Sequence, residues 1–156
     1  AELICGKILE IWRKKKFPII HVRHSSTNVD SKLHESNLGF EFNDHVTPVG
    51  DEIILKKTVN SAFIGTDLKS ILDKSKTEVL IVVGMTTNHC ISTTVRMSGN
   101  LGFQTYLISD STACYNTKGI NGEMIDCEII YQSALASIND EFATVIKFEE
   151  LISLIE

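Results

Sequence analysis

Residues Val79-Leu-Ile-Val-Val83 are apolar at every position, and Gly84 with a polar turn follows at once. A strand with one face in water alternates polar and apolar residues, whereas a strand covered on both faces does not. Helical patterns flank this one. The spacing predicts a helix over 3–16, with Ile4, Ile8, Ile11 and Trp12 on one stripe, and further helices over 66–74, 89–101, within 121–137 and over 148–155. Strands are predicted over 18–22, 52–55, 79–83, 105–109 and 143–146. Strands alternating with helices imply an α/β domain with a mainly parallel sheet. In such sheets ligands bind at the carboxyl ends of the strands. Attention therefore falls on the segments after Val22, Leu55, Val83 and Ser109. Residues 23–50 show little periodicity, and a loop of that length in a compact domain usually serves function.

The chain has 156 residues, enough for one domain with a sizeable core. Twenty acidic and 15 basic residues give a formal net charge of −5, which argues against nucleic-acid binding, since phosphates need a basic face. The basic run Arg13 to Lys16 ends the first predicted helix, where it complements the helix dipole as a solvated terminus. No apolar run approaches the ~20 residues of a membrane span, and no secretory leader opens the chain. The four cysteines form no C-x-x-C pair and read as reduced thiols of a cytoplasmic protein.

One cysteine stands apart. Cys90 falls after the buried strand, in the predicted first turn of the next helix. Backbone N–H groups and the helix dipole favour negative charge there, so a thiol in that place is expected to ionise more readily. The same N–H groups could receive an oxyanion forming on an attacked carbonyl. Position alone leaves two readings, a nucleophile or a buried cysteine that caps nothing. Lys57, at the end of the predicted second strand, is either a charge partner for such chemistry or a surface lysine beside Lys56.

Two motifs carry a resemblance. Lys57, Ser61, Ala62, Phe63, Thr66 and Leu68 match K-x-x-x-S-A-F-x-x-T-x-L. Gly84, Thr87, Cys90, Ile91, Thr94 and Arg96 match G-x-x-T-x-x-C-[VI]-x-x-T-x-R, continued by Leu101-Gly102 and Ser109-Asp110. In order and spacing the chain resembles the isochorismatase-like cysteine hydrolases over almost its whole length. The resemblance implies a three-layer, Rossmann-like α/β fold with helices on both faces of a mainly parallel sheet. It implies Cys90 as nucleophile, Lys57 as catalytic lysine, and a cis peptide at Met85–Thr86 that aims the N–H groups of Thr86 and Cys90 into one oxyanion hole.

The true isochorismatases lack this cysteine, so Cys90 implies hydrolysis of a C–N, amide-type bond through a thioester. Nicotinamidases carry an aspartate and histidines for a metal after the second strand. Here His21 and His24 lie three apart on a strand and face opposite sides, so no metal and no cofactor are expected. Phe63, His89 and His24 are candidate pocket residues, with Arg23 beside His24. The expected partners are a small-molecule substrate and further copies of the chain, in a dimer or larger assembly.

The family aspartate, from a D-x-Q strand before the first helix, has no match, since residues 1–5 contain no aspartate. The sequence is therefore expected to be a single isochorismatase-like domain over 1–156, N-terminally incomplete, without the first central strand. Strands 19–22 and 79–83 would then lack a shared partner. The alternative is a non-catalytic binding or scaffold protein that keeps the fold without the aspartate.

Overall fold

A computed structural model describes all residues, 1–156. The chain forms two compact units, Glu2–Lys76 and Thr77–Glu156, the second joined by Ala1. The fold is α/β with mainly parallel strands, as expected.

In the first unit, α1 (Glu2–Lys15) leads to β1 (Ile20–His24), which pairs in parallel with β2 (Ile53–Lys57), and α2 (Leu68–Lys74) follows. Helix α1 buries Cys5, Ile8 and Leu9. The buried stripe is thus rotated by about one position from the predicted one, and Ile4, Ile11 and Trp12 are only half-buried. Gly6 lets the helix approach the 3-10 turn Asp44–Val46, because a Cβ there would meet the His45 carbonyl at 3.0 Å. Strand β1 starts two residues later than predicted. Pro18 has no N–H to give a ladder, and Phe17 turns back onto Trp12 with ring centroids 5.4 Å apart. The long loop holds two 3-10 turns, Leu38–Phe40 and Asp44–Val46.

Arg13 departs from the expected solvated terminus. Its guanidinium grips Glu52 through Nε–Oε1 at 2.7 Å and Nη2–Oε2 at 2.9 Å, and reaches the Thr47 carbonyl at 3.0 Å. His21, buried on β1, contacts the same carboxylate at 2.7 Å, and the Val49 N–H donates to it at 2.9 Å. Glu52 thus ties α1, β1 and the long loop to the start of β2.

In the second unit, β3 (Val79–Val82), β4 (Gln104–Ile108) and β7 (Thr144–Ile146) form a parallel sheet in the order β3-β4-β7. Helices α3 (Ser92–Asn100), α4 (Cys127–Ala136) and α5 (Phe148–Ile155) complete it, with a small antiparallel hairpin, β5 (Thr117–Lys118) and β6 (Met124–Ile125). The core joins Ile91, Val95, Leu107, Leu135, Ile138 and Ala143. Val95, Leu107 and Ile138 are fully buried, each contributing roughly 1.5–3 kcal/mol. Gly99 is required by close packing, since a Cβ there would meet the Phe142 carbonyl at 2.7 Å.

Strand β3 corrects one expectation. It is apolar throughout, yet Val79 is 46% exposed and the other three residues are only half-buried. The reason is its place: β3 pairs with β4 alone, and β1 with β2 alone. A second correction concerns 121–137. Residues 124 and 125 form β6, and the helix begins only at Cys127, where the Asp126 carboxylate accepts from the Glu128 N–H at 2.8 Å. No helix is long and apolar enough to cross a membrane.

Candidate active site

The Cys90 segment belongs to the second unit. After β3 the chain passes Gly84, whose φ of +122° is a conformation that L side chains rarely adopt. The Met85–Thr86 peptide is cis. Residues Thr87–Ile91 then form a π-turn rather than the predicted first turn of an α-helix. The Ile91 N–H donates to the Thr86 carbonyl five residues back at 3.2 Å, and the His89 N–H donates to the same oxygen at 3.2 Å. Cys90 accordingly stands just before α3, half-buried, with His89 exposed beside it.

The segment after β4 holds this turn. The Gly84 N–H donates to the Ser111 carbonyl at 3.3 Å, and the Thr87 N–H to Ala113 at 3.0 Å. The hydroxyls of Thr87 and Thr112, both buried, lie 2.8 Å apart, and the Cys114 thiol donates to Asn88 Oδ1 at 3.4 Å. Buried polar groups keep such positions only when paired, so the turn is fixed from several sides. Sequence reasoning missed this strapping because Thr112 and Cys114 lie more than 20 residues on. Their place just past the end of β4, where ligand crevices form, was the available signal.

Arg96 closes the motif structurally. Its Nη2 donates to the Ser137 carbonyl at 3.1 Å and to the Ser137 hydroxyl at 2.9 Å, at the C-terminus of α4, and its guanidinium stacks over Phe142. A cation there also meets the negative end of the α4 dipole. Tyr131 on α4 donates to the Ser109 carbonyl at 2.7 Å, and burial pushes its phenol pKa up. Asp110 is engaged elsewhere: its carboxylate accepts from the Phe148 N–H at 3.0 Å at the start of α5. A groove of about 430 Å³ lies between this turn and α4, lined by Asn88, Ser92, Ile125 and Ile129 among others, but not by Cys90.

The Lys57 segment belongs to the first unit. Lys57 ends β2 in register with His24 at the end of β1, which puts both side chains on one face of the pair. Lys57 is only 5% exposed, so the surface reading fails. Its Nζ donates to the Val59 carbonyl at 3.0 Å and lies 3.2 Å from His24 Nδ1. The His24 pKa is lowered, first by burial and second by the Lys57 charge, while the Val59 carbonyl acts the other way.

Downstream, the S-A-F-x-x-T motif builds a turn. The Ser61 hydroxyl, buried, accepts from the Phe63 N–H at 3.2 Å. The Thr66 hydroxyl donates to the Ala62 carbonyl and accepts from the Leu68 N–H at 3.3 Å, starting α2. Phe63 itself is half-buried.

Arg23 and His24 part company. Arg23 faces the His21 side of β1, with its guanidinium 4.1 Å from the Phe40 ring centroid and 5.3 Å from that of Phe42. His21 goes to Glu52 and His24 to Lys57. No three His, Cys, Asp or Glu side chains are grouped to share a metal ion. Of the expected site residues, His24, Lys57 and Phe63 therefore lie in one unit, and Thr86, His89 and Cys90 in the other.

Residues 4–150 match the family model described as the isochorismatase domain. The isochorismatase family protein YrdC of Bacillus subtilis is 44% identical over 98% of this chain and 82% of its own length. Nicotinamidase 3 of Arabidopsis thaliana is 26% identical over 92% of this chain and 73% of its own. Among solved structures, a protein of Chromobacterium violaceum assigned to the isochorismatase family of hydrolases superposes with a TM-score of 0.93. It is 31% identical, over 97% of this chain and 79% of the other.

Proposed function

Since the chain belongs to the isochorismatase family of hydrolases, we propose that it hydrolyses a C–N bond of a small amide or ureide through a Cys90 thioester. The observation that supports this most is the Cys90 turn itself. A half-buried thiol stands on a π-turn that the Ser111–Cys114 segment straps in place. A rigid nucleophile lowers the entropic cost of reaching the attacking geometry.

In this reading the Cys90 sulfur attacks the carbonyl carbon and the C–N bond breaks. The amine leaves with the proton given up by the thiol, and water then cleaves the thioester to return the thiol and a carboxylic or carbamic acid. The N–H groups of Thr86 and Cys90 receive the oxyanion. Lys57, desolvated and held by two acceptors, supplies positive charge. The resemblance assigns the proton carrier to an aspartate of a D-x-Q strand, and no aspartate of residues 1–156 matches that motif. The nicotinamidase relative supports an amide-type bond as the target.

The test is amine or ammonia release from a panel of small amides and ureides. Cys90→Ala and Lys57→Met should each lower turnover by about 100-fold or more, the usual scale for removing a positioned catalytic group. Turnover unchanged in Cys90→Ala would overturn the assignment.

A further inference from the structure

We infer that His24 is a positioning residue: a neutral imidazole, protonated at Nε2, whose Nδ1 lone pair holds the Lys57 ammonium. The inference rests on the reading in which Lys57 serves the reaction, and it adds which group aims that lysine.

The register of β1 and β2 sets His24 directly opposite Lys57. At 3.2 Å, Lys57 Nζ and His24 Nδ1 are within hydrogen-bond reach. An ammonium has three donors and no acceptor, so in this pair the histidine nitrogen must accept. A nitrogen that accepts carries no proton, and a neutral ring then bears its proton on the other nitrogen. The second hydrogen bond of the ammonium goes to the Val59 carbonyl at 3.0 Å, a backbone group two residues on in the same chain segment.

The remaining charged groups of this sheet are engaged elsewhere. Arg23 lies against Phe40 and Phe42, Lys56 is paired with Glu35 at 2.9 Å, and His21 and Arg13 share Glu52. None of them offers His24 a carboxylate that would favour a second ring proton. Burial first and the Lys57 charge second both oppose one, and they outweigh the Val59 carbonyl, which favours it.

A lysine stem is long and flexible, and fixing it costs rotamer entropy. The Val59 carbonyl belongs to the same segment as Lys57, two residues past the end of β2, whereas His24 stands on the neighbouring paired strand. His24 is therefore the acceptor that ties Nζ to the sheet.

The tautomer is read on the unmodified protein by long-range 1H–15N correlation of the 15N-histidine-labelled chain at pH 7. The His24 signals are assigned by their loss in His24→Asn. A proton on Nε2 and a bare Nδ1 are expected, and a protonated Nδ1 or a doubly protonated ring would overturn the proposal. The second measurement is hydrogen exchange of the Lys57 ammonium. His24→Leu should speed it by about tenfold or more, the worth of one charge-assisted hydrogen bond. His24→Asn, whose amide oxygen can stand where Nδ1 stood, should restore most of the protection. Equal exchange in His24→Leu and the parent would also overturn it. Both measurements are independent of amide turnover, so the positioning role and the hydrolase reading can fail separately.

Discussion

Replacing Glu52 by Gln keeps the shape of the side chain and removes its charge, much as protonation would. The Glu52 carboxylate accepts two hydrogen bonds from Arg13, one from His21 and one from the Val49 N–H. The Arg13 hydrogen bonds foremost hold its pKa at about 2, against an ordinary 4.5. A depression of that size corresponds to about 3 kcal/mol of folding stability. Its sign follows from the direction of the shift. A carboxylate with a lowered folded pKa contributes its full share above the unfolded pKa of 4.5 and loses it as the pH falls toward about 2. By pH 3 roughly 2 kcal/mol of it should be gone. Urea unfolding of the parent and of Glu52→Gln between pH 7 and pH 3 reads this directly. The variant should be about 3 kcal/mol less stable at pH 7, with the gap shrinking to about 1 kcal/mol at pH 3. A gap below about 0.5 kcal/mol at pH 7, the scale of an exposed ion pair, would refute the reasoning. So would a gap that stays constant across the range.

Other expectations are independent of Glu52. Iodoacetamide at neutral pH should label Cys90 before Cys5, Cys114 and Cys127, as peptide mapping would show; faster labelling of any of these in the folded protein would count against Cys90 as the reactive thiol. Leu107→Ala, at a fully buried core position, should lower unfolding stability by about 2–5 kcal/mol in urea titration. Gly84→Ala should destabilise by about 1–3 kcal/mol through its φ of +122° rather than through a clash, since the added Cβ would meet Ile91 Cδ1 at an ordinary 3.7 Å. Tyr131→Phe should cost about 1 kcal/mol, the hydrogen bond to the Ser109 carbonyl, in a thermal or urea melt.

Periodicity is a local property, and what it encodes was readable in advance. Helix α5, with Phe148, Leu151, Ile152 and Ile155 on a helical repeat, was predicted at its observed bounds. The short hairpin was not, because β5 and β6 are two residues each and Ile125 also fits the helical repeat that follows. Asp126 was the overlooked start signal, as the N-cap of α4. The apolar run at β3 pointed correctly to a parallel strand. By itself it said nothing of how many neighbours the strand would have; that expectation came from the unmatched D-x-Q motif, and β1 and β3 indeed share no partner strand.

The site divides along the same line. Cys90 and Lys57 stood out through their motifs and His24 as a pocket candidate, but the contacts that hold them did not. The Thr87–Thr112 and Lys57–His24 contacts span 25 and 33 residues. The Arg13–Glu52 clamp spans 39, and its arginine had a sufficient local explanation at the end of a helix. Strand alternation did separate His21 from His24, which now have different partners.

The central claim is that Cys90 carries an acyl group during turnover. The direct measurement is acid quenching of the protein with an activated small amide or ester, followed by intact mass and peptide mapping. The account predicts a mass increase equal to the acyl group on the Cys90 peptide, reversed by hydroxylamine and absent from Cys90→Ala. Hydrolysis of the same compound by Cys90→Ala at the parental rate, or an acyl group found on another residue, would contradict it.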